Sequence, residues 1–206
     1  MKKISALIID DHAILRMGLA SLLNAKGGIE VIGDAANGQT GIQRAIKLKP
    51  DVVIMDLMMP GMDGTETTSR LIAKAPDAKI LILTTFGTSD GITHALNAGA
   101  KGAIMKNCDF GELVTAIRTV ARGERYISPE IERIISNDPP VAPLSPRQTE
   151  ILQSIIRGLS NPDIAKQLGI SLDMVKEHTE ALFQKLGVAN RPEAVAIALK
   201  KHLLKI

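Results

Sequence analysis

The first half of the chain alternates between two kinds of segment, and that alternation limits the fold more than any other feature. Short apolar, β-rich runs at residues 4–9, 29–33, 52–55, 80–83 and 102–105 are separated by stretches with helical spacing, roughly 11–26, 38–49, 64–75, 89–98 and 109–123. A strand that is apolar at consecutive positions must be covered on both faces, which a parallel sheet achieves by packing its crossover helices on either side. Five such units predict a doubly wound α/β domain with a five-stranded parallel sheet. Within the first helical stretch, Ile14, Leu15, Leu19, Leu22 and Leu23 are expected to form one buried stripe.

The alternation stops near residue 123. Residues 124–143 end in "SNDPPVAPLSP", a linker composition, with "YISPEIERIIS" before it able to form a short helix on Pro129. From residue 144 no strand signal remains. Helices are predicted at 146–158, 162–168, 172–186 and 192–202, with Ser160 or Asn161 capping the second, Gly169 ending it and Ser171 capping the third. A short helix, a glycine-containing turn and a longer helix outline a helix-turn-helix. The expected organisation is an α/β domain over 1–123, a linker over 124–143 and a small all-α helix-turn-helix domain over 144–206.

Composition narrows the function classes. With no Trp, one Tyr and three Phe, the cores must be aliphatic, and the aromatic platforms used on single-stranded nucleic acid are scarce. Cys108 is the only cysteine, so no intramolecular disulfide can form. The apolar run near the N-terminus is too short for a signal peptide, and no segment approaches the length of a membrane span. A cytoplasmic protein without a membrane partner is expected. The net charge of +3 does not by itself announce a nucleic-acid partner.

In a doubly wound sheet, ligands sit beyond the carboxyl ends of the strands, where strand order reverses. Asp10 and Asp11 follow the first predicted strand, Asp56 ends the third, Thr84 the fourth and Lys106 the fifth. Taken singly, Asp11 reads as a helix cap, Thr84 as strand filler and Lys106 as an exposed cation. Together they deliver three carboxylates, a hydroxyl and an ammonium to one rim. Clustered carboxylates invite a hard cation, and Mg²⁺ suits one or two carboxylates combined with phosphate oxygens. The lysine and hydroxyl suit the oxygens of a phosphoryl group.

The segments "IIDDH", "DVVIMDLMMPGMDG", "ILILTTF" and "GAKGAIMK" resemble the receiver domain of two-component response regulators over about the first 120 residues. That resemblance implies a flavodoxin-like fold and Asp56 as the acceptor of phosphate from a sensor histidine kinase. It also implies Mg²⁺ held by Asp10, Asp11, Asp56 and the Met58 backbone carbonyl, with Thr84 and Lys106 binding the phosphoryl oxygens. An acyl phosphate adds nearly two negative charges, enough to draw in both partners and shift nearby loops. Two positions depart from the family pattern. Ala103 stands where an aromatic usually turns inward on activation, and Thr85 where a small residue is common. Met58 and Phe86 put apolar bulk where the family controls water access, and a long-lived acyl phosphate is the expectation.

In the C-terminal part, Met174, Val175, His178, Leu182 and Leu186 recur at helical spacing and are expected to face a core, His178 as a packed histidine. The segment from "LSPRQTEIL" to "KLGVANRPEAV" is similar to the LuxR-type domain of NarL/FixJ-family regulators. The resemblance implies that the helix over 172–186 enters the major groove of double-stranded DNA, with Lys176 at the groove. Ser160, Asn161, Lys185 and Arg191 become candidates for phosphate contacts. Glu177 and Glu180 lie on the expected base-reading face, where a carboxylate accepts from cytosine N4 but repels phosphates. Residues 144–206 hold nine Lys and Arg against six Asp and Glu, so a homodimer on two half-sites is expected to supply the affinity.

The leading expectation is a phosphorylation-controlled transcription factor rather than an enzyme. Two others remain open on the residues alone: a Mg²⁺-dependent phosphatase with an Asp nucleophile, and a receiver controlled by phosphate-independent protein contacts, which Ala103 and Thr85 make credible.

Overall fold

The apolar runs form parallel strands in a computed structural model that describes residues 3–26, 28–85, 88–201 and 203–204. In chain order they are β1 (Ile4–Ile9), β2 (Ile29–Ala35), β3 (Val52–Asp56), β4 (Ile80–Thr84) and β5 (Gly102–Met105). The helices between and after them are α1 (Ala13–Lys26), α2 (Gly38–Leu48), α3 (Gly64–Lys74), α4 (Ser89–Asn97) and α5 (Phe110–Ala121). Polar residues start the helices: the side chains of Asn37, Asp63, Thr88 and Asp109 each accept a backbone N–H in the first turn of α2, α3, α4 and α5.

The sheet has six strands rather than five, in the order β2-β1-β3-β4-β5-β6, all parallel. The sixth, β6 (Tyr126–Ile127), pairs with β5 through Gly102 and Ala103, and Ser128 then caps α6 (Pro129–Asn137). Ile131 of α6 is fully buried in the same core as Ala103, with Ile127, Ile134 and Ile135 packed against it. Residues 124–138 are therefore structured parts of the α/β unit. The other half of the expected linker belongs to the helical unit: Val141 is buried in its core, and Lys201 donates to the Pro139 carbonyl at 2.8 Å. The two compact units meet between Asp138 and Pro139.

Alternate residues of each strand feed two separate cores. Leu7, Ile9, Val53 and Met55 face α2, α3, α4 and α6, whereas Ala6, Ile8, Val52 and Ile54 face α1 and α5. The α1 stripe is narrower than expected. Leu23 is buried and Leu19 packs on the core, but Ile14 is 87 % exposed and Leu22 also faces outward. A single line at i, i+4 and i+8 (Leu15, Leu19 and Leu23) points toward the sheet, leaving its neighbours in solvent.

The second unit comprises α7 (Pro146–Ile156), α8 (Asn161–Leu168), α9 (Leu172–Leu186) and α10 (Arg191–Lys200) around Ile151, Leu152, Ile164, Val175 and Leu182. Ser145 and Ser160 open α7 and α8 with capping boxes. Gly169, at φ 65°, ends α8 in the left-handed conformation, and Ser171 caps α9 two residues later. The α9 core stripe is Val175, Thr179, Leu182 and Leu186, with His178 only half-buried. Met174, expected inside, is 44 % exposed, because a shift of one residue rotates a side chain by about 100° around the helix. No helix is long and apolar enough to cross a membrane among the described residues.

Candidate functional site

Strand order reverses between β1 and β3, and the carboxyl ends of these two strands carry Asp10, Asp11 and Asp56. Asp10 and Asp56 are 2 % and 3 % exposed, a position in which an uncompensated carboxylate is costly. The compensation comes from β5. Lys106, just past its end, places Nζ 2.7 Å from Asp10 Oδ2 and 2.8 Å from Asp56 Oδ2. The Lys106 backbone N–H donates to the Thr84 carbonyl at 2.7 Å, tying the ends of β4 and β5 together beside the acids.

Electrostatics follow from this crowding. Burial pushes the Asp56 carboxyl above its usual value; the hydrogen bond and charge of Lys106 offset part of that, and the Asp10 charge adds to it. Burial also works against the Lys106 ammonium, but hydrogen bonds and charge from Asp10 and Asp56 outweigh it and hold the lysine above its ordinary value. One ammonium thus serves two buried carboxylates, leaving local negative charge in excess. Asp10, Asp11, His12 and Asp56 each bring a ligand atom within 4.8 Å of the others, and the three carboxylates are the hard oxygen donors that a small divalent cation takes.

The loop after β3 turns back tightly beside Asp56. The Met58 N–H donates to Asp56 Oδ1 at 3.3 Å, and the Gly64 N–H donates to the Leu57 carbonyl at 2.9 Å. A Cβ on Gly64 would lie 2.3 Å from the Asp56 carbonyl oxygen, so this close return of the chain requires glycine. Thr84 is fully buried, and its Oγ1 has no hydrogen-bond partner among the described residues. A buried orphan hydroxyl at the rim is a group waiting for an acceptor. Thr85 and Met58 are exposed. Phe86 lies outside the described residues.

Two rim residues escape a reading by strand ends. The His12 N–H donates to Asp10 Oδ1 at 2.7 Å, and its Nδ1 lies 3.1 Å from Asp10 Oδ1 and 2.9 Å from Asp11 Oδ1. Arg16 donates to the Asp10 carbonyl at 2.7 Å and to Asp34 Oδ2 at 2.8 Å, anchoring the β1 end to β2. Their adjacency in "DDHAILR" was the available signal. Cys108, two residues past Lys106, takes no part: burial, with Glu112 and Asp109 nearby, pushes its thiol up to about 11.

The helical unit holds the second group of candidates. Ser160 is engaged as the cap of α8, where its N–H donates to Asp163 Oδ2 at 3.2 Å. Arg191 donates to the Leu159 carbonyl at 2.6 Å and to Asn161 Oδ1 at 3.5 Å. Lys185 Nζ donates to the Pro143 carbonyl and to Gln148 Oε1. Asn161, Lys185 and Arg191 thus have bonds inside the unit, which hold the α7–α8 turn and the start of the domain. The exposed face of α9 carries Lys176, paired with Asp173 at 3.0 Å, together with Glu177 and Glu180.

Comparison with known proteins gives this arrangement its family. The profile of the response regulator receiver domain matches residues 6–118, and that of the bacterial regulatory proteins of the luxR family matches residues 142–198. The chain is a response regulator of the NarL/FixJ family. This response regulator is 40 % identical over 211 residues to the oxygen regulatory protein NreC of Staphylococcus carnosus (strain TM300), covering 96 % of this chain and 97 % of the relative. It is 39 % identical over 212 residues to NreC of Staphylococcus aureus (strain JH9), covering 96 % and 98 %. Among solved structures it resembles the response regulator ChrA of a heme-sensing two-component system, with TM-score 0.59, 36 % identity and coverage of 99 % and 100 %. It shares the fold of RcsB in a DNA complex, with TM-score 0.69, 24 % identity and coverage of 97 % and 98 %. Its two halves are those of a DNA-binding regulator of transcription in a two-component system.

Proposed function

We propose that Asp56 is the residue that accepts a phosphoryl group from a sensor histidine kinase, and that this modification controls the binding of the α8–α9 helix-turn-helix to double-stranded DNA in the cytoplasm. The observation that carries the reading is the pairing of a buried Asp56 with Lys106 at 2.8 Å, at a rim where the buried Thr84 hydroxyl has no partner among the described residues. The carboxylate is the nucleophile, and Lys106 and Thr84 supply a cation and a donor for the oxygens it gains. Asp10, Asp11, Asp56 and the Met58 backbone carbonyl would hold Mg²⁺, which when bound neutralises charge on the incoming phosphodonor.

The outward face of α9 is the surface offered to the major groove, with Lys176, Glu177 and Glu180 on it. Ser160, Asn161, Lys185 and Arg191 support that surface through their internal bonds, with Ser160 and Asn161 at the start of α8 near enough in sequence to share in phosphate contacts. A modest positive charge on the domain favours a homodimer, in which two half-sites multiply each other's effect.

Incubation with labelled acetyl phosphate tests the reading directly. The full chain is expected to gain an acid-stable, base-labile label only when Mg²⁺ is present, and Asp56→Asn to gain none. Label retained in Asp56→Asn overturns the assignment. A chain that takes no label, yet binds duplex DNA with the same affinity before and after acetyl phosphate, would instead support phosphate-independent control.

A further inference from the structure

The outermost line of α9 is made almost wholly of acceptors. Opposite its buried stripe of Val175, Thr179, Leu182 and Leu186, two residues away and so about half a turn round, lie Asp173, Glu177, Glu180 and Gln184, all exposed. Asp173 is paired with Lys176 at 3.0 Å. Glu177 and Glu180 have no hydrogen-bond or ion-pair partner among the described residues. On a helix that faces DNA, each such carboxylate lowers affinity through phosphate repulsion. It is tolerable only where a base edge supplies a donor.

The major groove offers few. Cytosine presents N4–H₂, and adenine presents N6–H₂ beside the acceptor N7; guanine and thymine present acceptors. Adenine's N7 faces the second oxygen of a carboxylate with like polarity, whereas cytosine carries only a C–H beside its amine. We infer that Glu177 and Glu180 are specificity-determining residues that select cytosine at two neighbouring positions of each operator half-site. Selection works partly by attraction and partly by rejection, since guanine or thymine at either position sets acceptor against acceptor. Three residues apart on a helix rising about 1.5 Å per residue, the two side chains are spaced for neighbouring base pairs. This inference rests on the reading of α9 as the helix that enters the groove.

The experiment is selection of duplexes from a random pool by the full chain treated with acetyl phosphate and Mg²⁺, run in parallel on wild type, Glu177→Gln and Glu180→Gln. Wild type is expected to enrich half-sites with two neighbouring cytosines on one strand. Glutamine carries both a donor and an acceptor and pairs with adenine N6 and N7. Glu177→Gln is therefore expected to change one cytosine to adenine and Glu180→Gln the other, each preference shifting about tenfold or more. Both side chains are exposed and partnerless, so the fold is retained, and each variant is expected to bind random DNA more tightly than wild type. Identical base preferences in all three proteins, or A·T pairs preferred by wild type at the positions that respond, overturn the inference while leaving DNA binding intact. A wild-type chain that enriches no sequence overturns the DNA-binding reading, and the inference falls with it.

Discussion

Carboxylates gather in two regions of this response regulator, and their surroundings give them opposite meanings. At the rim of the sheet, Asp10 and Asp56 are nearly sealed from water and share the Lys106 ammonium. On α9, Glu177 and Glu180 stand in solvent with no partner among the described residues. Burial makes a charge a strong demand on its neighbours, so the rim is held together by the groups that meet that demand. Exposure makes a charge cheap for the fold and meaningful only to what docks against it. The rim can therefore be broken by altering one side chain, whereas the helix face can be rewritten without disturbing the fold.

The largest expected effect is at the rim. Lys106→Met leaves two buried carboxylates facing each other without a cation, and the loss of stability is expected to be about 3–5 kcal/mol. Urea unfolding of the two proteins in metal-free buffer measures it, and added Mg²⁺ is expected to recover part of the loss. A change below about 1 kcal/mol would show that the ion pairs in the rim carry little.

Next in size is Ala103→Tyr, which restores the aromatic common in the family. Ala103 is fully buried in a core shared with Ile131 of α6, so the added ring overpacks that core and is expected to cost about 1–3 kcal/mol in the same assay. Ile131→Ala made together with it opens space, and a smaller loss in the pair than the sum of the single losses would confirm where the ring goes.

Asp56→Asn is smaller and opposite in sign. Because burial first, and Asp10 after it, raise the Asp56 carboxyl, the folded state holds its proton more tightly than the unfolded chain does. A raised carboxyl contributes stability that is fully present below the unfolded value near 3.8 and is lost as pH rises through the folded value. Asn removes that loss, so Asp56→Asn is expected to be more stable than wild type at neutral pH, with the gain vanishing as pH falls below the unfolded value near 3.8. A gain that instead persists at pH 3 would locate its cause outside the charge. The smallest effect belongs to the other region: Glu177→Gln and Glu180→Gln are each expected to shift stability by less than about 0.5 kcal/mol. A larger change would mean that the α9 face is not free.

The same contrast explains what could be read from the residues alone. The runs of β3, β4 and β5 announced their strands because burial at every position leaves no polar residue before the strand end to confuse the pattern. The rim followed from strand ends, since each end delivers its next polar residue to the same side of the sheet. The sixth strand has only Tyr126 and Ile127 and sits in a stretch punctuated by Pro and Asn, so composition suggested a linker where pairing to β5 decides the outcome. Ile14 and Met174 were misplaced for another reason. Helical periodicity defines a band, and only the neighbouring elements determine which edge of the band is covered. The contacts of His12 with both acids depend on the turn between β1 and α1, and the inward bonds of Lys185 and Arg191 depend on where the α7–α8 turn and the residues before α7 lie. Spacing alone encodes none of these.

The boundary at Asp138 and Pro139 has a practical corollary for anyone dividing the molecule. A receiver truncated at residue 123 would strip β6 from the edge of β5 and uncover the cavity that Ile131 fills, giving an open strand edge next to apolar surface. Such a fragment is built to stick to itself, and any self-association it shows would report the cut rather than the signal. Exchanged as cassettes at 138/139, the two halves carry their own padding with them.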